Sequence, residues 1–402
     1  MSKQTICKNK NTQLIIIMKI LMFGWEFPPY SIGGLGKVIY YLTKSLSDLG
    51  VKISLVLPVK GKSEKIKIIP TNVSVKTIKT ILNPYLNEEE YFNLLEEEEI
   101  VLYGGNLKEE IERFQKKCLE IVKNEEFDII HCHDWITFPA GIKAKEISNK
   151  PLVLHIHATE FDRSGGNCNQ WVYEIEKEAF EIADKLIAVS HYTKNNIVNN
   201  YFINPNKIEV VHNAIECHNI SNKKMIKEKI VLFLGRLTLQ KGADYFIRAA
   251  KKVLEKRRDI LFVVAGSGEM FPKLVDLACS LGIGDKVLFT GRLSDEEVDK
   301  IYELASVYVM PSISEPFGLT ALEAISKGTP VIISKNSGVK EVVKHCLEID
   351  FWDIDELANK ILSTLEYHPL REELVINSCN ELKKLSWENQ GKKVLEIYRS
   401  LI

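Results

Sequence analysis

The sequence lacks any closely spaced pair of cysteines. Its eight cysteines, Cys7, Cys118, Cys132, Cys168, Cys217, Cys279, Cys346 and Cys379, are scattered with no C-x-x-C spacing. That argues against a disulfide framework and points to a reducing compartment, the cytoplasm. It also lacks a membrane-spanning run: the apolar stretch from Leu14 to Phe23 is interrupted by Lys19 and falls short of the roughly 20 residues a bilayer requires. Lys3, Lys8 and Lys10 precede this stretch in the manner of a secretory signal, but Phe27-Pro28-Pro29 follows in place of a small-residue cleavage site, so it reads as a buried first strand. No surplus of charge is present either. With 53 Lys and Arg against 54 Asp and Glu, the net charge is −1, and no global field favours nucleic acid or an anionic membrane. The acidic stretches Glu88-Glu89-Glu90 and Glu96 to Glu99 point away from both locally. No internal repeat or low-complexity tract occurs. His131-Cys132-His133-Asp134 has the look of a metal cluster, yet no second ligand group at zinc spacing accompanies it, and no metal is expected.

What is present is an ordinary globular composition, 45% hydrophobic and 27% charged over 402 residues, long enough for two domains of about 200 residues. Strand-like apolar runs alternate with helical stretches throughout, the pattern of doubly wound parallel sheets and hence an α/β fold. In the first half the spacing predicts strands over 19–23, 52–57, 128–131, 152–155 and 186–189. In the second it predicts strands over 230–234, 260–265, 287–290, 307–310 and 330–333. The polar segment from Glu216 to Glu228 reads as the hinge. Two Rossmann-like domains are expected, 18–217 and 228–386, with a final helix over 387–402. In such sheets ligands bind beyond the carboxyl ends of the strands, so the working cleft is expected between the domains.

Chemistry concentrates in Ser314-Glu315-Pro316-Phe317-Gly318-Leu319-Thr320-Ala321-Leu322-Glu323-Ala324, at a strand-to-helix junction. Glu315 falls at the mouth of a helix and Glu323 inside it. At about 1.5 Å per residue, eight positions correspond to roughly 12 Å of helix axis, the reach from a hexose across a diphosphate to a ribose. Between them the amides of Gly318, Leu319 and Thr320 form a positive helix end suited to the diphosphate. Taken alone, two glutamates at this spacing also describe an ordinary solvent-facing helix. Upstream, Ile230 to Leu234 runs into Gly235-Arg236-Leu237 and Lys241-Gly242. Arg236 supplies a planar fork and Lys241 a compact point charge, a pair that could stabilise a departing nucleotide.

These two segments together resemble the donor half of retaining glycosyltransferases of the GT-B fold, in the family that includes sucrose-phosphate synthases and archaeal glycogen synthases. The likeness runs from Met18 to the last helix. It implies Arg236 and Lys241 on the donor phosphates, Glu323 on the ribose, and Glu315 on the transferred sugar near its 3-hydroxyl. It implies a chain beginning near Met18, so residues 1–17 are expected to be a disordered extension or the product of an early start codon. It also implies that the final helix crosses back to brace the first domain.

On the first-domain side, Gly33-Gly34-Leu35-Gly36 is not a Walker A loop, because Ser31 stands at its first glycine position and Val38 replaces the Ser or Thr after Lys37. A plain tight turn remains the alternative. The resemblance implies that Gly33 and Gly34 lie against the donor diphosphate and reacting sugar, although Ser31 stands where bacterial-type glycogen synthases carry Lys. His157 is implied to contact the donor sugar at its 6-hydroxyl, with His155 two positions earlier on the same strand face. Asp162 and Arg163 are candidates for the acceptor or for a capping role before the helix at Trp171. Asp134 is given a supporting role, positioning the acceptor or structuring the cleft floor.

The resemblance thus implies a cytoplasmic hexosyltransferase, retaining, using UDP-glucose or ADP-glucose without a cofactor or metal. The acceptor is expected to be a growing α-glucan, as in glycogen biosynthesis. Lipid-linked sugars, sugar phosphates or small metabolites remain alternative acceptors. A GT-B nucleotide-sugar epimerase and a non-catalytic sugar-nucleotide binder remain alternative classes.

Overall fold

The computed structural model describes residues 17–29, 33–59, 69–80, 106–216 and 229–402. The expected extension up to residue 16, Ser31, the two acidic stretches and the hinge beyond residue 216 lie outside the described residues.

Among the described residues, thirteen strands divide between two sheets. The first contains β1 (Lys19–Phe23), β2 (Lys52–Val59), β3 (Val73–Lys79), β4 (Ile129–His133), β5 (Leu152–Ile156), β6 (Lys185–Ala188) and β7 (Ile208–Val210), in the order β3-β2-β1-β4-β5-β6-β7. The second contains β8 (Lys229–Leu234), β9 (Ile260–Ala265), β10 (Val287–Gly291), β11 (Val307–Met310), β12 (Val331–Ser334) and β13 (Leu347–Ile349), in the order β10-β9-β8-β11-β12-β13. Every pairing is parallel. Helices cover both faces, which is why the central strands read as unbroken apolar runs; β11, Val-Tyr-Val-Met, is buried at every position. Two Rossmann-like lobes result, as the alternation predicts.

Three strands had no counterpart among the sequence-based expectations: β3, β7 and β13. All are at sheet edges, and β7 and β13 are three residues long. β4 continues to His133 and β5 to Ile156, two residues and one residue past their expected ends. Asp134 is therefore the first residue beyond β4, and His157 the first beyond β5.

Each sheet reverses its direction of growth between its first and fourth strands, at β1/β4 and at β8/β11. A crevice opens beyond the carboxyl ends of the strands at such a switch point. The last helix, Trp387–Arg399, packs on the first-lobe helix Gly34–Asp48. A Cβ on Gly391 would stand 2.2 Å from Ser45 Oγ, and Trp387 stacks on Tyr41 with ring centroids 5.1 Å apart. No described helix is long and apolar enough to cross a membrane.

Candidate active site

Beyond β8 the chain passes Gly235 and the half-buried Arg236 into a 3-10 turn, Leu239–Lys241, which Gly242 closes at φ +68°. A Cβ on Gly242 would lie 2.2 Å from the carbonyl oxygen of Pro311. Only glycine lets the turn press against the end of β11 in this conformation. The result is an ion pair across the switch point: Lys241 Nζ lies 2.8 Å from Glu315 Oε2, and Ser312 Oγ donates to the same oxygen at 3.1 Å. The Glu315 backbone is fixed as well, its amide donating to Asn336 O and its carbonyl accepting from Gly338 N, both at 2.9 Å. A cavity of about 30 Å³, lined among others by Gly235, Lys241, Ser312, Glu315 and Thr320, sits beside the pair.

Gly318, at φ +106°, starts the helix Leu319–Ser326 with no side-chain cap. The first-turn amides therefore keep the partial positive charge of a helix N-terminus. Tyr308, buried in β11, donates its hydroxyl to Thr320 Oγ1 at 2.8 Å and so fixes that side chain. Glu323 is one turn in, with Oε2 accepting from Tyr302 Oη at 3.4 Å and Oε1 from Lys37 Nζ at 2.9 Å. Glu315 and Glu323 thus flank the helix mouth, but a bend at Pro316 to Gly318 separates them. The 12 Å reading of a continuous helix does not apply, because helix begins only at Leu319.

The first lobe meets this site directly. A Cβ on Gly34 would stand 2.9 Å from Leu319 Cδ1, so the glycine loop touches the first turn of the second-lobe helix. Two of the loop's amides are turned inward: Gly33 N and Gly36 N donate to Glu26 Oε2 at 3.3 and 3.2 Å. The sequence reading did not single out Glu26, although a carboxylate eight positions before the N-terminus of a helix is a natural partner for it.

His131, His133, His155 and His157 form a cluster of stacked rings on neighbouring strands β4 and β5 and the residue after β5. The first three are fully buried and His157 is half-buried at the edge of the cluster, which separates the two residues that sequence spacing could not. His157 Nε2 and His133 Nδ1 are 2.9 Å apart, and His131 Nδ1 bonds to the Tyr398 hydroxyl of the last helix. Burial holds all four imidazoles below their ordinary range, His157 at about 3, so they are neutral. Ring nitrogens of His131, His133 and His155 lie within 4.8 Å of one another. The rings are stacked, with 18–36° between planes.

Asp134 adopts φ +59°, a conformation rare for a side-chain-bearing residue. Its Oδ1 accepts from the His157 amide at 2.8 Å, tying the end of β4 to that of β5. Burial pushes its carboxyl up to about 7, against the opposing pull of Arg163 and the His157 amide.

Asp162 and Arg163 face inward. Asp162 completes a capping box with Thr159 and accepts from Asn196 Nδ2 at 2.7 Å and Ser314 Oγ at 2.6 Å. Arg163 pairs with Glu160 and the buried Glu176 and donates to Ala158 O at 2.9 Å. Neither caps the helix at Trp171, where Asn169 accepts from the Trp171 and Val172 amides; Asp162 instead caps the short helix Glu160–Ser164, and Arg163 is paired internally. Another depression, about 500 Å³ and lined by Lys19, Lys52, Ser54, Asn72 and Ser74 among others, opens at the amino ends of β1 to β3. That is the end of the sheet remote from the switch point.

The family model described as "Glycosyl transferases group 1" matches residues 217–380, and "Glycosyltransferase Family 4" matches residues 32–219. An uncharacterised glycosyltransferase of Methanocaldococcus jannaschii is 33% identical over 405 residues, covering 95% of this chain and 98% of the relative. A glycogen synthase of Mycobacterium tuberculosis is 27% identical over 340 residues, covering 81% of this chain and 80% of the relative. Among solved structures, sucrose-phosphate synthase from Thermosynechococcus elongatus superposes with a TM-score of 0.78 at 20% identity, covering 96% of this chain and 99% of that one.

Proposed function

The chain belongs to the group 1 glycosyltransferases of GT-B fold, and from that premise we propose that it moves a glucosyl group from UDP-glucose or ADP-glucose to a growing α-glucan with retention at the anomeric carbon. The observation that carries this reading is the Lys241–Glu315 pair, held at 2.8 Å beside an uncapped helix N-terminus at the switch point of the second sheet. A diphosphate placed against the Gly318 to Thr320 amides meets Lys241 and Arg236. The transferred sugar then reaches Glu315 on one side, and the ribose reaches Glu323 on the other.

In this arrangement the protein's fixed charges stabilise the leaving nucleotide, the kind of electrostatic stabilisation that dominates many enzymes. Lys241 is positioned by its carboxylate partner, and Ser312 orients that carboxylate. His157, neutral and half-buried, offers a ring nitrogen to the donor sugar, while Asp134 holds its backbone. Displacement occurs on the face of the sugar that the diphosphate leaves, with the departing phosphate accepting the proton of the incoming hydroxyl. Neither cofactor nor metal enters this proposal.

Incubation of purified protein with radiolabelled UDP-glucose and ADP-glucose, with and without glycogen, tests it. Label appearing in polymer through an α-linkage supports the proposal. Transfer only to a lipid-linked or small-molecule acceptor overturns the glucan assignment and keeps the transferase. Conversion of the sugar nucleotide in the absence of any acceptor replaces it with an epimerase.

A further inference from the structure

Lys37, one turn into the first-lobe helix Gly34–Asp48, crosses the cleft to Glu323 of the second lobe at 2.9 Å. Its other carboxylate neighbour, Asp295, is 3.8 Å away and 92% exposed, a contact of little energetic worth. Burial lowers the affinity of the Lys37 amine for its proton, and the carboxylates of Glu323, Asp295 and Asp299, with Glu323 foremost, together more than reverse this, so the residue is held charged. The contact of Gly34 with Leu319 explains how the ammonium is delivered. Positions three apart lie on one helix face, and Lys37 follows Gly34 by that interval.

Glu323 is four residues past Leu319, about 6 Å along the axis from the amides assigned to the diphosphate. A bare carboxylate that near a dianion in a half-buried cleft is repulsive. A carboxylate also has about four acceptor positions, so one ammonium on Oε1 leaves room for ribose hydroxyls. Resting on the donor reading above, we propose that Lys37 is a donor-site residue. From the opposite lobe it neutralises Glu323, so that this carboxylate holds the ribose without repelling the diphosphate beside it.

The test is a calorimetric titration of wild type, Lys37→Met and Lys37→Arg with UDP and ADP and with the uncharged nucleosides uridine and adenosine. Thermal melts confirm that each variant is folded. For the preferred base, Lys37→Met is expected to weaken diphosphate binding about tenfold and leave nucleoside binding within about twofold, while Lys37→Arg restores the diphosphate. In a Glu323→Gln background, where no charge needs neutralising, the same substitution is expected to cost less than about twofold. A lysine that acts only as a strut between lobes would weaken both ligands equally, and that result overturns the proposal, as does unchanged diphosphate affinity in Lys37→Met. Wild type that binds neither diphosphate removes the donor reading itself, and this inference with it.

Discussion

The Ser314 hydroxyl donates to Asp162 Oδ1 at 2.6 Å across the two lobes, so the residue directly before Glu315 is anchored in the opposite half of the molecule. Tyr192 Oη adds a second contact to Ser314 at 2.9 Å, and the Pro316 carbonyl accepts from Ser190 and Thr193 at 2.5 and 3.3 Å. Glu315 is thereby gripped on both sides in sequence by the first lobe. Nearby, Glu341 of the second lobe receives the amides of His191 and Tyr192, both at 2.8 Å, and His212 Nε2 at 2.7 Å. Opening the cleft requires these bonds to break, which couples lobe position to the geometry of the pair at Glu315.

Weakening that grip tests the coupling. Ser314→Ala is expected to lower kcat/KM by about tenfold with a stability loss of about 1 kcal/mol. Asp162→Ala also leaves donors of Thr159 and Asn196 without their acceptor and should cost about 2–4 kcal/mol of stability. Steady-state kinetics and urea unfolding check both.

Removing the fixed charges acts on catalysis, and Lys241→Ala in addition leaves the buried Glu315 carboxylate without its cationic partner. Lys241→Ala and Arg236→Ala are each expected to cost about 2–4 kcal/mol of transition-state stabilisation. Single-turnover measurements at saturating donor check this, and unchanged turnover in either variant removes the mechanism.

The stacked histidines predict acid lability. Burial holds the imidazoles of His131, His133, His155 and His157 below their unfolded values. Between about pH 6.5 and the native values the unfolded chain binds protons that the native one refuses, so stability falls as pH falls, by up to about 1.4 kcal/mol per histidine per pH unit. Urea midpoints from pH 7.5 to 5 check the slope, and His155→Gln should flatten it.

Asp134 predicts the opposite sign. Its carboxyl is raised from 3.8 to about 7, so between those values the native state holds a proton that the unfolded chain has lost. Its contribution therefore declines as pH rises from about 4 to 7, on the order of 2–4 kcal/mol across the window. Asp134→Asn retains the oxygen that accepts from the His157 amide and should remove this component, as thermal melts of the two proteins across that range would reveal.

Much of this architecture was legible in the sequence. The central strands are buried on both faces, so their apolar runs stand out, and the switch-point loops carry glycines whose positions fix where Lys241 and Glu315 meet. Three edge strands, β3, β7 and β13, were not legible, although the fourth, β10, was. β3, Val-Ser-Val-Lys-Thr-Ile-Lys, is half-exposed and mixes polar with apolar residues, while β7 and β13 are too short to show a period. The remaining gaps share one cause: the partners are distant in sequence. Asp162 finds Ser314 152 positions away and Lys37 finds Glu323 286 positions away, and no local pattern marks either pairing. Glu26 was closer, seven residues before Gly33, but the bend through Pro28 and Pro29 hid the approach.

The central claim is that an activated sugar binds between the lobes with its diphosphate on the second-lobe cations. A crystal structure of the protein with UDP-glucose or ADP-glucose tests it most directly. The account predicts phosphate oxygens within hydrogen-bonding reach of Lys241, Arg236 and the Leu319–Thr320 amides, with ribose on Glu323 and hexose beside Glu315. A sugar nucleotide seated in the depression beside Lys19 and Lys52, or anywhere remote from Lys241, would contradict it.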